Sequence, residues 1–419
     1  MRIALVAPHV TLPGSSPIAD SGPRVTSLAK ALAGLGHQVT VYSRKDAPSQ
    51  PRTVKLGPRV TVEHVPAGPA ARLSADELTP HIRAFGDNLA QRWRRNRPDL
   101  AHAHFWLSGL AAVAGARDLD IPVVQTFHVV DLKSRRRCAR QPQDLARLRV
   151  KACLARNVSG VLAGSSAEAR ELAGLGVPRA AIRVVPSGVD TGEFLPEGPV
   201  AKRNGKPRLL TVGPLTDEQG VDVVVRALAE VPNAELVIAG GPARAKLRQD
   251  KVCQHLTGLA RELGVADRVS FLGRISPKDL PALLRSADML VSAAWDEPFG
   301  TVALQAMACG TPVVASAVGV YNDAVIDGTT GMLLPPGQPS VLARRVRGLL
   351  GSPLQLEAFG IAAADRARAR YSWERIGQET AYAYERCLAA RGSLEVPDAT
   401  EEADAEEADA ELDAVPAVV

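Results

Sequence analysis

Short apolar runs alternate with amphipathic segments from one end of the chain to the other. In the first half, Arg2–Pro8, Gln38–Ser43, Val60–Val65, Leu100–Phe105, Val123–His128, Gly160–Ala163 and Ile182–Pro186 read as strands. Helical spacing falls between most of them, for example over Arg24–Leu35 and Ala75–Arg95. The second half restarts with Arg208–Val212, Glu235–Ala239, Val269–Leu272, Met289–Ala294, Pro312–Ala317 and Met332–Leu334. Strand and helix in regular alternation predict an α/β fold with mainly parallel sheets. The rhythm breaks at SGVDTGEF (Ser187–Phe194), followed by a Gly-, Pro- and Lys-rich connector to Pro207. Two Rossmann-like domains facing a cleft are therefore predicted, over 1–195 and 196–370, with a last amphipathic helix over 371–390.

Length agrees with two domains, since 419 residues exceed one ordinary core. A hydrophobic fraction of 46% and a charged fraction of 23% are those of a water-soluble globular chain. No apolar run is long enough to span a membrane, and MRIALVAP lacks the basic start and long apolar stretch of a signal peptide. The five cysteines are scattered without CxxC spacing, which argues against a disulfide framework or zinc site and fits a cytoplasmic location. Beyond Arg391 there are ten acidic residues and no Lys or Arg, so the rest of the chain is more basic than its formal +5 indicates. The stretch 391–419 has too few large apolar residues to fold alone and is expected to be disordered or transiently helical.

Candidate chemistry concentrates in WDEPFGTVALQAMACGTPVV (Trp295–Val314). Glu297 follows an apolar run and precedes a helical segment, which places it at the carboxyl edge of a parallel sheet, where ligands bind. The backbone N–H groups of Phe299, Gly300 and Thr301 open that helix and suit hydroxyls or phosphates. His128 ends a predicted strand on the equivalent edge of the first domain. The loop after it carries Lys133, Arg135, Arg136, Arg137 and Arg140, guanidinium-rich chemistry suited to phosphate or carboxylate, with a solvated basic loop as the alternative. A second basic run, RWRRNRP (Arg92–Pro98), reads as a solvated helix end, with weak membrane-surface contact as the alternative. His102 and His104 share one strand face, as metal ligands can, but no third ligand is evident and no metal is expected. Asp118-Leu119-Asp120 lies at the amino edge of its strand and reads as a chance DxD. Neither a complete GxGxxG nor a Walker loop is present.

An ordered series of segments, LAKALAGLGHQVTV, DLAHAHFWLSG, PVVQTFH, VVPSGVDTGEF, ELVIAGGP, PFG, AMACGTPVVAS and DGTTGMLLPPG, resembles the retaining nucleotide-sugar glycosyltransferases of GT-B architecture, family 4. The resemblance implies that the last helix crosses back onto the first domain. It also implies a nucleotide-diphosphate sugar as co-substrate, with no other cofactor and no essential metal. Glu297 would bind the transferred sugar and His128 would contact it near the reacting carbon. Gly22, Gly213, Gly241, Phe299, Gly300 and Thr301 would line the donor site, and Phe105 and Trp106 would lie beside the acceptor with Lys133, Arg135 and Arg136. The acceptor would be an anionic or lipid-linked compound; no nucleic acid is implied, and contact with the inner membrane face would be peripheral.

This chain departs from the family pattern at three positions. Gln305 stands where the family has a second Glu. Pro214 and Gln219 stand where it has the Arg and Lys that hold the diphosphate, with Asp217 and Glu218 adding negative charge. Arg244, Lys246 and Arg274 are candidates to compensate. The departures keep a second reading open, a protein that binds a sugar nucleotide or partner transferase with little turnover. A sugar-nucleotide epimerase is a third.

Overall fold

In the computed structural model, residues 1–7, 22–128 and 142–392 are described. The first half forms an eight-stranded sheet of order β3-β4-β2-β1-β5-β6-β7-β8. Its strands are β1 (Arg2–Ala7), β2 (Gln38–Arg44), β3 (Thr53–Gly57), β4 (Val60–Val65), β5 (Leu100–His104), β6 (Val123–Thr126), β7 (Gly160–Ala163) and β8 (Ile182–Val184). The second half forms a six-stranded sheet of order β11-β10-β9-β12-β13-β14. Those strands are β9 (Arg208–Val212), β10 (Glu235–Ala239), β11 (Val269–Gly273), β12 (Met289–Ser292), β13 (Val313–Ser316) and β14 (Gly331–Leu334). Central strands such as β5 and β10 are buried along their whole length, because helices cover both faces of a parallel sheet and leave no solvent side.

Among the described residues the one antiparallel strand, β3, is absent from the sequence expectation. It pairs with β4 at the sheet edge, and its TVKLG is only half-buried, so it lacks the continuous apolar run that marks the others. The helix expected over Ala75–Arg95 is split into Ala75–Leu78, a 3₁₀ turn at Thr79–His81, and Ile82–Arg95. Pro80, which has no N–H to donate and whose ring crowds the preceding turn, accounts for the break. Arg92 is not a solvated helix end: its Nε sits 2.5 Å from Glu63 Oε1, both side chains mostly buried. Arg94 lies 4.0 Å from Asp118, and Arg97 donates to the Asp120 carbonyl at 2.9 Å. The DLD segment thus belongs to the amino edge, away from the cleft.

The helix Trp373–Gly392 returns to the first sheet. Ile376, Ala381, Ala383 and Tyr384 are buried in one cluster with Ile3, Leu5, Leu28 and Leu32. The return is locked where two crossings meet: Val189 bridges Ser372 and its N–H donates to the Tyr371 carbonyl at 2.7 Å. Gly188 is required beside it, since a Cβ there would come within 2.5 Å of the Trp373 ring.

Candidate active site

Glu297 sits in the loop that leaves β12, and its carboxylate is held by its own turn. Oε1 accepts from the N–H groups of Phe299 (3.1 Å) and Gly300 (2.9 Å), and Oε2 lies 3.3 Å from the Tyr321 hydroxyl. Burial first, and the neighbouring Glu297 second, raise the Tyr321 pKa far enough that the phenol stays protonated. The Glu297 backbone is pinned as well: its carbonyl accepts from Val320 N–H at 2.8 Å, and a Cβ on Gly319 would strike that carbonyl oxygen at 2.0 Å. Gly300 caps the helix Thr301–Ala308 at φ 62°, a left-handed conformation that glycine adopts without a Cβ clash. The Phe299 and Gly300 N–H groups are thus taken up by Glu297, and the first turn beginning at Thr301 faces the cleft with the positive end of its dipole.

Across the cleft, the first sheet contributes three aromatic rings. His128 lies two residues past the end of β6 rather than within it, at φ 65°, and Phe105 follows β5 at φ 67°. Positive φ is uncommon for bulky side chains and costs backbone strain. Their rings are 4.6 Å apart, and His128 is 6.2 Å from Phe299 of the second domain. His104 Nδ1 and His128 Nε2 are 3.0 Å apart. Behind them, His102 contacts the Tyr384 hydroxyl at 2.6 Å and Thr126 Oγ1 at 2.8 Å. Burial lowers the pKa of all three histidines, that of His104 to about 3, so the row is uncharged at neutral pH. Both ring nitrogens of His102 are engaged within the protein, which removes it as a metal ligand. Among the described residues, no cluster of three His, Cys, Asp or Glu is arranged to hold a metal.

Arg24 completes this constellation, and nothing local in the sequence marks it. It lies in the first turn of the helix Gly22–Gly34. Its Nη2 donates to Thr301 Oγ1, and its guanidinium carbon sits 3.9 Å above the centre of the Phe299 ring. The pKa is lowered to about 10 by burial, opposed by Glu297. The group therefore stays cationic near pH 7. A single arginine early in a helix carries no spacing signature, and only the apposition of the two domains brings it to the carboxyl edge of the second.

The remaining sequence candidates are spread around this centre. Gly22 opens the helix that carries Arg24. Gly213 and Pro214 follow β9, and Gln219 lies in a 3₁₀ turn over Asp217–Gln219. A Cβ on Gly213 would sit 3.3 Å from Gln219 Oε1, and one on Gly241 would press against Leu215 at 2.8 Å. These contacts bring the exits of β9 and β10 together. Gln305 is half-buried on the Thr301–Ala308 helix. Arg244, Lys246 and Arg274 are exposed at the exits of β10 and β11. Trp106 packs between two core clusters of the first domain, whereas Phe105 faces His128. Lys133, Arg135 and Arg136 lie outside the described residues.

Two family models divide the chain: the one described as Glycosyltransferase Family 4 matches residues 22–193, and Glycosyl transferases group 1 matches residues 197–366. A D-inositol 3-phosphate glycosyltransferase of Catenulispora acidiphila is 33% identical over 92% of this chain and 95% of its own. The corresponding enzyme of Nocardiopsis dassonvillei is 32% identical over 93% and 95%. Among solved structures, sucrose-phosphate synthase from Thermosynechococcus elongatus superposes with a TM-score of 0.80 at 28% identity, covering 93% of this chain and 99% of that one. Anabaena HepE in complex with UDP and glucose shares the fold, with a TM-score of 0.68 at 21% identity over 92% and 99%. With two sheets opposed across a cleft and both halves matched in order, the chain belongs to the group 1 glycosyltransferases of family 4, built on the GT-B fold.

Proposed function

We propose that the chain moves a sugar from a nucleoside-diphosphate sugar to an acceptor hydroxyl with retention of configuration, and that it needs no metal to do so. The observation that carries this reading is the convergence of Glu297, Phe299 and Thr301 from the second domain with His128 and Arg24 from the first. A carboxylate that accepts hydroxyl hydrogens, beside a helix N-terminus that favours phosphate, matches the two halves of a nucleotide sugar. The HepE structures, in complex with UDP and glucose and with UDP-glucose, support that donor class. The relatives' names support a phosphorylated cyclitol as acceptor.

Arg24 takes the part left vacant at Pro214 and Gln219. A leaving diphosphate seated at the Thr301 helix would meet the guanidinium that now donates to the Thr301 hydroxyl. A charge-assisted hydrogen bond contributes roughly 1.5–3 kcal/mol, or about ten- to a hundredfold in rate if it acts on the transition state. The acceptor would attack from the face of the departing diphosphate, whose oxygen takes the proton, and the uncharged His128 would bind the sugar without competing for it. Incubation with a panel of nucleotide sugars and cyclitol phosphates, read by mass spectrometry, tests the reading. A transferred-sugar product with the donor's anomeric configuration is the expected result, and hydrolysis or no reaction across the panel overturns it.

Pro214 and Gln219 favour a second reading, a binder of sugar nucleotides with little turnover. Calorimetric binding of a nucleotide sugar with no product would establish it.

A further inference from the structure

A pocket of about 60 Å³ opens behind His128 and runs between the carboxyl ends of β5 to β8 and the returning helix Trp373–Gly392. By the same measure a single water needs roughly 10–15 Å³, so the space admits more than one polar group. Three side-chain atoms on its wall are buried with no hydrogen-bond partner among the described residues: His104 Nε2, Glu168 Oε1 and Ser187 Oγ. His104 and Glu168 are only 4% and 8% exposed. Buried polar atoms are nearly always satisfied, and three exceptions on one wall call for an occupant.

The neighbouring polar groups are already satisfied. Glu168 Oε2 accepts from Gly164 N–H at 2.6 Å, His102 uses both ring nitrogens, and Thr380 Oγ1 donates to the Ile376 carbonyl. Among the described residues no other side chain meets these open valences, and an occupant of the pocket would fill them. Their chemistry is selective: a carboxyl oxygen, a hydroxyl and a neutral imidazole nitrogen offer both donors and acceptors, which neighbouring hydroxyl groups match. Arg24 and Glu168 both line the pocket, so a lone charge of either sign would meet a like charge there. Apolar wall residues such as Leu28, Val185 and Trp373 suit the C–H face of a ring.

We infer that this pocket binds the uncharged, hydroxyl-bearing edge of a ring-shaped polyol, held by Glu168, Ser187 and His104, and that this polyol is the acceptor. The acceptor role rests on the transferase reading above; the pocket itself does not. Burial pushes the Glu168 carboxyl up to about 7, which leaves it able to donate as well as accept.

The test is calorimetric titration of the full chain with myo-inositol and with cyclohexanol, alongside separate titrations with UDP, GDP and ADP. Myo-inositol is expected to bind at least tenfold more tightly than cyclohexanol. Ser187→Ala and Glu168→Gln should each weaken it fivefold or more while nucleotide affinity and Tm stay unchanged. Ser187→Ala removes only a hydroxyl from a loop and keeps the test open if Glu168→Gln does not fold. Equal binding of myo-inositol by wild type and Ser187→Ala overturns the assignment, as does nucleotide binding with no uptake of myo-inositol. Uptake of myo-inositol with no nucleotide bound supports the pocket and overturns the transferase reading instead.

Discussion

Arg24 and Thr301 meet across the inter-domain cleft, the guanidinium of the first helix donating to a hydroxyl at the start of a helix in the other domain. The same guanidinium sits over the Phe299 ring, two residues from Glu297. One cation of the first domain thus touches the turn that presents the carboxylate of the second.

Arg24→Met should lower kcat at least tenfold and weaken product inhibition by the free nucleoside diphosphate. Arg24→Lys keeps the charge but loses the guanidinium's several donors and should fall between. Steady-state kinetics check both, and wild-type kcat in Arg24→Met would remove Arg24 from the leaving-group site.

Exchanging Pro214→Arg and Gln219→Lys together should raise turnover by less than tenfold if Arg24 already neutralises the diphosphate. In an Arg24→Met background the same pair should restore most of the lost rate, because the three cations would serve the same phosphates. A double-mutant cycle on kcat/KM reads the coupling.

Glu297→Gln should reduce transfer at least tenfold, since an amide binds sugar hydroxyls more weakly than a carboxylate. The fold should persist because the amide oxygen can still accept from Phe299 and Gly300. His128→Ala should act mainly on kcat if its contact strengthens in the transition state. Near-native turnover in either variant would refute its place in the reaction.

Stability should fall with acid because the folded protein keeps its buried histidine row from taking up protons. His102, His104 and His128 are held neutral in the folded protein, with His104 lowered to about 3 from an ordinary value of 6.5. The unfolded chain therefore binds more protons below about pH 6.5, and the stability these groups retain above that pH is lost as the pH drops toward 3. Tm measured from pH 7.5 to 5 should decline in wild type and decline less steeply in His104→Asn.

Gly188→Ala should destabilise the fold by about 1–3 kcal/mol, the usual cost of forcing a methyl into a packed site. The new Cβ would meet the Trp373 ring at 2.5 Å where the last helix returns to the first domain. Chemical denaturation measures the loss. A neutral substitution would show that the Trp373–Gly392 helix can shift without cost.

Most of the architecture was legible because parallel strands covered by helices leave short, largely apolar segments, and thirteen of the fourteen strands among the described residues fall on segments that the sequence marks. The edge strand β3 did not, being half-exposed and mixed in character. The position of Glu297 was legible for a local reason: a strand, an acid, Pro-Phe-Gly and a helix follow one another in the sequence, and a strand-to-helix turn places that acid on the carboxyl edge. His128 was legible to within two residues, its strand ending at Thr126.

What the sequence could not carry was any relationship across the cleft or through the core. Arg24 and Thr301 are 277 positions apart, and no periodicity couples residues on separate sheets. His102 and Tyr384 are likewise joined only because the last helix folds back. Local chain geometry settled which edge each residue occupies, since a strand's direction and the turn after it are short-range properties. Tertiary packing alone decided which cation faces the carboxylate, which histidines are held uncharged and which buried polar atoms are left without partners. Those depend on the desolvation and apposition of groups that meet only in the folded chain.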